Sequence, residues 1–242
     1  MRAGPTTGTG NDAQWSGLGG GCFEKDLLDL VYIARSLQLD AVANYWMAVV
    51  EMNDLQKTRF LRRILSCMHG SLRGKAIAIL GFAFKKDTSD TKGSPAIPVV
   101  QGLLAEGAHV AIYDPMVRAS QIQAALGSSS VRICATAYEA CHQAEAVVVV
   151  TDWDEFQMAA SPSPSPSQLG CRCLTPDSNP ETAHACLDWQ RIAEHMQRPR
   201  FVFDGRNMLP GERIGAFGCR YVRVGRTSQW DAWRMKRYPF HY

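Results

Sequence analysis

A cysteine at the end of a glycine-rich turn is the residue of this sequence best suited to covalent chemistry. Cys22 follows Gly19, Gly20 and Gly21 and stands where a helix is predicted to begin. The positive end of a helix dipole favours a thiolate, Lys25 adds positive charge nearby, and Asp26 offers a carboxylate that can accept a proton from water. This pattern predicts an activated nucleophile. The alternative is a buried cysteine in a glycine-rich loop beside a charged helical turn.

Two further groups of residues follow apolar runs and are suited to binding phosphate. Residues 76–80 form a continuous apolar run that predicts a buried strand, and Phe84 and Lys85 come shortly after it. Arg206 follows a second such run. Ligands of open parallel sheets bind beyond the carboxyl ends of the strands, where an aromatic ring can stack on a base and cations can meet phosphate. The alternative is an ordinary loop with exposed basic side chains.

A sheet covered by helices must position these residues. The sequence pattern predicts strands at residues 76–80, 109–113, 131–134, 146–150, 200–203 and 220–224. Helical patterns lie between most of them, and Ser94 with Pro95 predicts a helix start. Strands and helices that alternate through short connections predict an α/β, Rossmann-like parallel sheet with flanking helices. Two helical patterns precede the sheet, and the second runs from about residue 41 to 68.

The domain organisation follows from these changes of pattern. We expect an unstructured lead-in over residues 1–16, the cysteine loop and a helical segment over 17–72, and an α/β domain over 73–226. Within that domain, the Ser-Pro repeats and polar sequence of residues 161–187 predict a disordered insertion. Residues 227–242 form a tail without a clear pattern.

Composition excludes several classes of protein. The 242 residues are 46% hydrophobic and carry a net charge of +3, which is too small to imply a nucleic-acid partner. The apolar runs are too short to cross a membrane, and the N-terminus has no apolar signal segment, so we expect a cytoplasmic protein. Cys171, Cys173, His184 and Cys186 have none of the usual zinc spacings, so no metal site is expected.

Taken in order, the motifs resemble the UDP-glucose 6-dehydrogenases of the UDP-glucose/GDP-mannose dehydrogenase family. The resemblance is carried by residues 17–26, 79–91, 106–109, 112–115, 138–141 and 203–206. It implies an NAD-dependent oxidation of UDP-glucose to UDP-glucuronate through a cysteine thiohemiacetal and a thioester. In this sequence Cys22 matches the nucleophile and Asp26 matches a carboxylate that helps to activate water, while Cys22, Lys25 and Lys92 match positions near NAD.

The resemblance also implies the substrate contacts and the assembly. Gly17, Leu18 and Gly19 match a glycine loop packed on the substrate, whereas Phe84, Lys85 and Arg206 match contacts to UDP-glucose. The helix at 41–68 matches a central helix that forms much of a dimer contact, so a homo-oligomer is expected.

The sequence departs from the family pattern in lacking the N-terminal NAD-binding domain. Its one G-x-G-x-x-A match, at residues 8–13, follows no predicted strand, and we expect no dehydrogenase activity from this chain alone. Two alternatives to a UDP-glucose 6-dehydrogenase stay open. One is a non-catalytic module that binds a UDP-sugar or dimerises, and the other is a dehydrogenase of another nucleotide sugar, such as a UDP-N-acetylhexosamine.

Overall fold

Six parallel strands form one sheet, as the alternation of strands and helices predicts. The computed structural model describes residues 21–127, 130–158 and 186–225, with side chains from Glu24 onward. The strands are β1 Ala76–Leu80, β2 His109–Tyr113, β3 Arg132–Ile133, β4 Ala146–Val149, β5 Phe201–Asp204 and β6 Arg220–Arg223. Their order is β3-β2-β1-β4-β5-β6, and every neighbouring pair is parallel. The predicted Rossmann-like α/β fold is confirmed.

Helices precede the sheet and connect its strands. They are α1 Gly21–Ser36, α2 Asp40–Cys67, α3 Ala96–Ala105, α4 Ala119–Leu126, α5 Ala137–Cys141, α6 Trp189–His195 and α7 Gly211–Ala216. The glycine-rich turn predicts that Cys22 stands just before a helix. Helix α1 instead begins at Gly21, so Cys22 lies inside its first turn. Helix α3 begins after Pro95, one residue later than predicted, and the Ser94 hydroxyl accepts a hydrogen bond from the Ala96 N–H.

The core is built on the central strands and on the second half of α2. Strands β4 and β5 are buried along their whole length, as apolar runs covered by helices on both faces must be. Helix α2 adds Phe60 and Ile64 to the same core, and Met68, directly after the helix, adds a third side chain. The helix packs so closely on α3 that a side chain at Gly102 would collide with Leu61. The end of α2 is therefore fixed to the sheet.

The first half of α2 packs with α1 as a separate small unit. Val31, Ala34 and Ala43 form its buried apolar cluster, and Trp46 and Met47 pack against them. Many larger apolar side chains of the two helices stay exposed. These two helices thus present an apolar surface that no other described residue covers.

Several sequence predictions lie wholly or partly outside the described residues. These are the lead-in at 1–16, the glycine turn at 17–20, residues 161–185 of the insertion and the tail at 227–242. Leu187, at the end of the predicted insertion, is buried and forms a β-bridge with Met158. No helix within the described ranges is long and apolar enough to cross a membrane.

Candidate functional site

The ends of the central strands lie level at one edge of the sheet. Leu80 pairs with Tyr113 on one side and with Val149 on the other, and Val149 pairs with Asp204. The chain moves outward from β1 to β3 and then returns to β4, so the strand order reverses between β1 and β4. Such a reversal opens a crevice at the carboxyl edge, where α/β sheets bind their ligands.

The buried carboxylate of Asp114, directly after β2, joins three loops at this edge. Its Oδ2 accepts hydrogen bonds from the N–H groups of Phe82 at 2.6 Å and Ala83 at 2.9 Å, and from Trp153 Nε1 at 3.1 Å. Its Oδ1 accepts two more, both at 2.9 Å, from the N–H groups of residues 116 and 117. One side chain thereby holds the segments that follow β1, β2 and β4.

Thr151, after β4, completes the attachment to the loop after β1. Its hydroxyl donates to the Ala83 carbonyl at 2.7 Å. Gly81 has φ +92°, and a Cβ built there would lie 2.6 Å from Thr151 Oγ1 and 2.7 Å from its backbone nitrogen. Only glycine allows both this backbone conformation and this close approach.

Two ion pairs extend from the same β4 loop. Asp152 accepts a hydrogen bond from Arg206 Nη2 at 2.9 Å, and Asp154 accepts from Lys86 Nζ at 3.0 Å. The Arg206 side chain is largely buried, whereas Lys86 and Asp154 are more than two-fifths exposed. The Asp152–Arg206 pair therefore orients the arginine that the sequence predicts to bind phosphate. The Lys86–Asp154 pair adds little to stability because water screens it.

Phe84 and Lys85 lie on the loop after β1 at this edge, in agreement with their predicted position. The Phe84 ring is half-buried and Lys85 is exposed, with its Nζ 5.3 Å from the ring centroid. Arg206 follows β5, which is two strands away, or about 10 Å at the usual strand spacing. The structure thus brings three of the six predicted substrate residues to one edge.

Asp204 supports the loop that carries Arg206. Its buried carboxylate accepts from the N–H groups of Arg206 at 2.9 Å and Leu209 at 2.8 Å, and from the Tyr221 hydroxyl at 2.8 Å. Burial raises the pKa of Asp204, while these hydrogen bonds oppose that shift. Burial and the adjacent carboxylate also raise the pKa of Tyr221, so its hydroxyl stays a donor.

The residues of the predicted nucleophilic site lie on a different element. Cys22 and Asp26 are four residues apart in α1, a spacing that places two positions on one face of a helix. Lys25 and Asp26 are exposed, as is Lys92 on the connection between β1 and α3. Gly17, Leu18 and Gly19 lie outside the described residues.

Sequence reasoning missed the residues that organise the carboxyl edge. They are Asp114, Thr151, Asp152, Trp153, Asp204 and Tyr221. One signal was available, because most of these are polar residues at or directly after a buried strand. Across the described ranges, no group of three or more His, Cys, Asp or Glu side chains could hold a metal ion.

Comparison with known proteins agrees with this geometry. Residues 78–165 match the profile of the UDP-glucose/GDP-mannose dehydrogenase family, UDP binding domain. They include the second half of β1, all of β2 to β4, and Asp114 with its hydrogen-bond partners. This part of the chain is therefore similar to the UDP-binding domain of that family. The resemblance carried by the sequence motifs is thereby confirmed.

Curated relatives match most of the chain. UDP-glucose 6-dehydrogenase 4 of Oryza sativa subsp. japonica is 39% identical, with 90% of this chain and 43% of the relative covered. UDP-glucose 6-dehydrogenase 3 of Arabidopsis thaliana is 38% identical, with 88% and 43% covered. The chain thus spans less than half the length of these relatives.

Solved structures share the fold. An NDP-N-acetyl-D-galactosaminuronic acid dehydrogenase from Methanosarcina mazei Go1 matches with a TM-score of 0.64 at 20% identity, over 97% of this chain and 44% of that one. A UDP-glucose dehydrogenase from Pyrobaculum islandicum matches with a TM-score of 0.56 at 24% identity, over 86% and 38% of the two chains. At these identities the likeness concerns the fold alone.

The described sheet does not fit NAD, the cofactor that the motif resemblance implies. A dinucleotide fingerprint needs three spaced glycines in a tight turn between the first strand and its helix. Here Gly81 is followed by Phe, Ala, Phe, Lys and Lys, and the whole of residues 81–95 separates β1 from α3. The close contact of Gly81 with Thr151 also fills the space beside the strand end.

Replacing Asp114→Asn is expected to lower the free energy of unfolding by about 3 kcal/mol. The amide would turn an N–H₂ group toward two or three buried N–H donors that now share a carboxylate oxygen. Urea unfolding measures the change.

Asp188→Asn is the matched control for this substitution. Asp188 caps α6 by accepting from the Arg191 N–H at 3.1 Å, and asparagine is an equally good N-cap. We expect its effect to stay within about 0.5 kcal/mol, the range typical of a surface change. Equal stability of the Asp114 variant and the control would contradict the role given to Asp114.

Proposed function

We propose that this chain is the UDP-glucose-binding part of a UDP-glucose 6-dehydrogenase and carries its cysteine nucleophile. The observation that supports this most directly is the presence of Phe84, Lys85 and Arg206 at the carboxyl edge of a sheet that matches a UDP-binding domain. The two cations suit the diphosphate, and the half-buried ring suits the uracil or the glucose.

The neighbours of these residues support the same assignment. Asp152 holds the guanidinium of Arg206 in one orientation, so less side-chain entropy is lost when a phosphate binds. Asp114 and Thr151 fix the loop that carries Phe84 and Lys85. We propose that Gly17, Leu18 and Gly19 complete the site as a backbone loop against the sugar.

The proposed covalent chemistry belongs to Cys22 and Asp26. The Cys22 thiolate adds to the C6 aldehyde, forming a carbon–sulfur bond while the carbonyl oxygen gains a proton. NAD, when bound, would accept the hydride whose loss gives the aldehyde and a second hydride whose loss turns the thiohemiacetal into a thioester. Water then attacks the thioester, Asp26 accepts the proton of that water, and the thiolate leaves as UDP-glucuronate forms. We propose that NAD borders Lys25 and Lys92 and is held outside the described sheet. A free thiolate also favours a reducing compartment such as the cytoplasm.

Removing the charge of Lys85 is expected to weaken UDP binding about tenfold, the effect of losing about 1.4 kcal/mol of charge-assisted contact. Calorimetric titration of the chain with UDP measures this for Lys85→Gln and Arg206→Gln. Lys86→Gln is the matched control, because the Lys86 ammonium is already paired with Asp154.

The outcome discriminates among the proposed substrates. Equal losses for the Lys85 and Lys86 variants, or no UDP binding at all, would contradict the site. Competition among UDP-glucose, UDP-N-acetylglucosamine and GDP-mannose then tests the substrate, and tighter binding of either of the last two would assign the site to another nucleotide sugar.

Cys22 is expected to react with iodoacetamide at least about tenfold faster than the buried thiols of the sheet domain, since only the thiolate is nucleophilic. Burial raises the pKa of Cys134, Cys141 and Cys219 and keeps them protonated at neutral pH. Peptide mapping by mass spectrometry resolves each rate, and Cys67, which is half-buried, is an internal reference.

The same cysteine separates an enzyme from a module that only binds. Joined to the part of a rice relative that the chain does not span, the protein is expected to form NADH from UDP-glucose, whereas the chain alone is not. Cys22→Ser should abolish that turnover and leave UDP affinity unchanged. Undiminished turnover in the variant would remove Cys22 from the mechanism.

We further propose that α1 and α2 form a homo-oligomer contact. Among the described residues, ten of the eleven large apolar side chains that are exposed lie on these helices or their connection, and Tyr32 and Tyr45 are 75% and 64% exposed. A second copy of the chain could cover this surface by symmetric packing of the helices.

Analytical ultracentrifugation tests this contact. Tyr32→Glu with Tyr45→Glu is expected to convert a dimer to a monomer, because a charge would be buried in the interface. Met116→Glu is the control, since Met116 is 50% exposed but lies between β2 and α4. A monomeric wild-type chain would contradict the proposed contact.

A further inference from the structure

A basic cavity lies at the edge of the sheet opposite the candidate UDP site. Lys75 directly precedes β1, Glu145 directly precedes β4, and Arg200 directly precedes β5, while Arg220 is the first residue of β6. All four line one cavity of about 540 Å³, together with His69 and Arg198. Because the strands are parallel, their amino ends meet at this edge and their carboxyl ends at the other. The cavity is therefore separate from Lys85 and Arg206.

The charges around this cavity are strongly unbalanced. Four permanently positive side chains line it, namely Lys75, Arg198, Arg200 and Arg220, and Glu145 is the one carboxylate among the residues that line it. That carboxylate also accepts a hydrogen bond from a backbone N–H, at 3.3 Å, at the start of β1. Cations that share one cavity repel one another, and a multivalent anion would reverse that repulsion.

Two of the cations are held in place by backbone carbonyls. Lys75 Nζ donates to the Met68 carbonyl at 2.6 Å, and Arg200 Nε donates to the Met196 carbonyl at 3.2 Å. An ammonium and a guanidinium each have several N–H donors, so these single bonds position the groups without using all of their donors. Such a preformed arrangement reduces the entropy that is lost when an anion binds.

The backbone around the cavity adopts an uncommon conformation at two positions. His69 has φ +65° and Arg200 has φ +57°, the left-handed region that residues with a Cβ seldom occupy. His69 follows the C-cap of α2, where a left-handed residue is common, whereas Arg200 directly precedes β5. Residues of this kind cluster at ligand and active sites, where the surrounding structure holds them in place. The cavity volume also falls within the range of about 300–1,000 Å³ that is typical of small-molecule sites.

We propose that this cavity binds a small anion that carries two or more linked phosphate groups, as a second ligand site distinct from the UDP site. Guanidinium groups are suited to such a ligand because each can donate two parallel hydrogen bonds to one phosphate. The recess between the loops that precede the strands suits a small molecule better than an extended polymer. A nucleoside di- or triphosphate and an inorganic polyphosphate share this chemistry.

Calorimetric titration of the 242-residue chain with inorganic tripolyphosphate, at an ionic strength of about 0.1 M, tests the proposal. We expect Arg198→Gln with Arg220→Gln to weaken binding at least about tenfold. Arg220 lies 5.4 Å from the Phe201 ring centroid, so urea unfolding must first show that the double variant folds. The exposed Arg198→Gln alone avoids this risk and should give a smaller loss in the same direction.

Two controls assign the binding to this cavity. Arg59→Gln with Arg62→Gln removes the same charge from an exposed face of α2 and should leave tripolyphosphate affinity unchanged. Arg206→Gln should weaken UDP binding and leave the tripolyphosphate site intact. An equal loss in the α2 variant, a loss in the Arg206 variant, or no binding by the wild-type chain would each overturn the proposal. Tighter binding of adenosine diphosphate than of pyrophosphate to the same site would identify a nucleotide as the ligand.

Discussion

The carboxyl edge of the sheet depends on one buried carboxylate. The five hydrogen bonds to Asp114 come from three segments that would otherwise leave N–H groups without partners away from water. Parallel strands require this kind of connection, because each strand ends at the same edge in a loop with no hairpin partner. Thr151 connects the segment after β4 to the loop after β1, and Asp152 connects it to the loop after β5. The loops with Lys85 and Arg206 are therefore fixed relative to each other.

The two edges of the sheet differ in how charge is balanced. At the carboxyl edge, Arg206 and Lys86 each have a carboxylate partner, so the site holds oriented cations at little electrostatic cost. At the amino edge, four cations surround one cavity with a single carboxylate. A Rossmann-like sheet usually offers one ligand site, at its strand reversal. Here the sequence places a second group of cationic side chains at or just before the starts of the strands.

The proposed nucleophile and the proposed substrate site lie on different elements. Cys22 is in the first turn of α1, which packs on α2 through Val31 and Ala34, whereas Lys85 follows β1. The second half of α2 is fixed to the sheet core, and the first half carries the exposed apolar surface. The proposed oligomer contact and the proposed nucleophile therefore lie on the same pair of helices.

The sequence alone located the six strands. The buried apolar runs of β1, β4 and β5 fit only a covered sheet, and the alternation with helices located the other three. It also located Phe84, Lys85 and Arg206 at strand ends, since each follows such a run. It did not predict α7, whose short sequence contains Gly211 and Gly215 and begins after a proline. Helix propensity is low there, and packing of Ile214 into the core stabilises the helix instead.

Only the tertiary structure decided which strand ends are neighbours. Asp114 and Trp153 are 39 residues apart, and Asp152 and Arg206 are 54 apart, so no local pattern relates them. They meet because the strand order β3-β2-β1-β4-β5-β6 brings the loops after β2, β4 and β5 to one edge of the sheet. Residue types and spacing therefore specify which groups can do chemistry, and the crossover of the chain specifies which of them share a site.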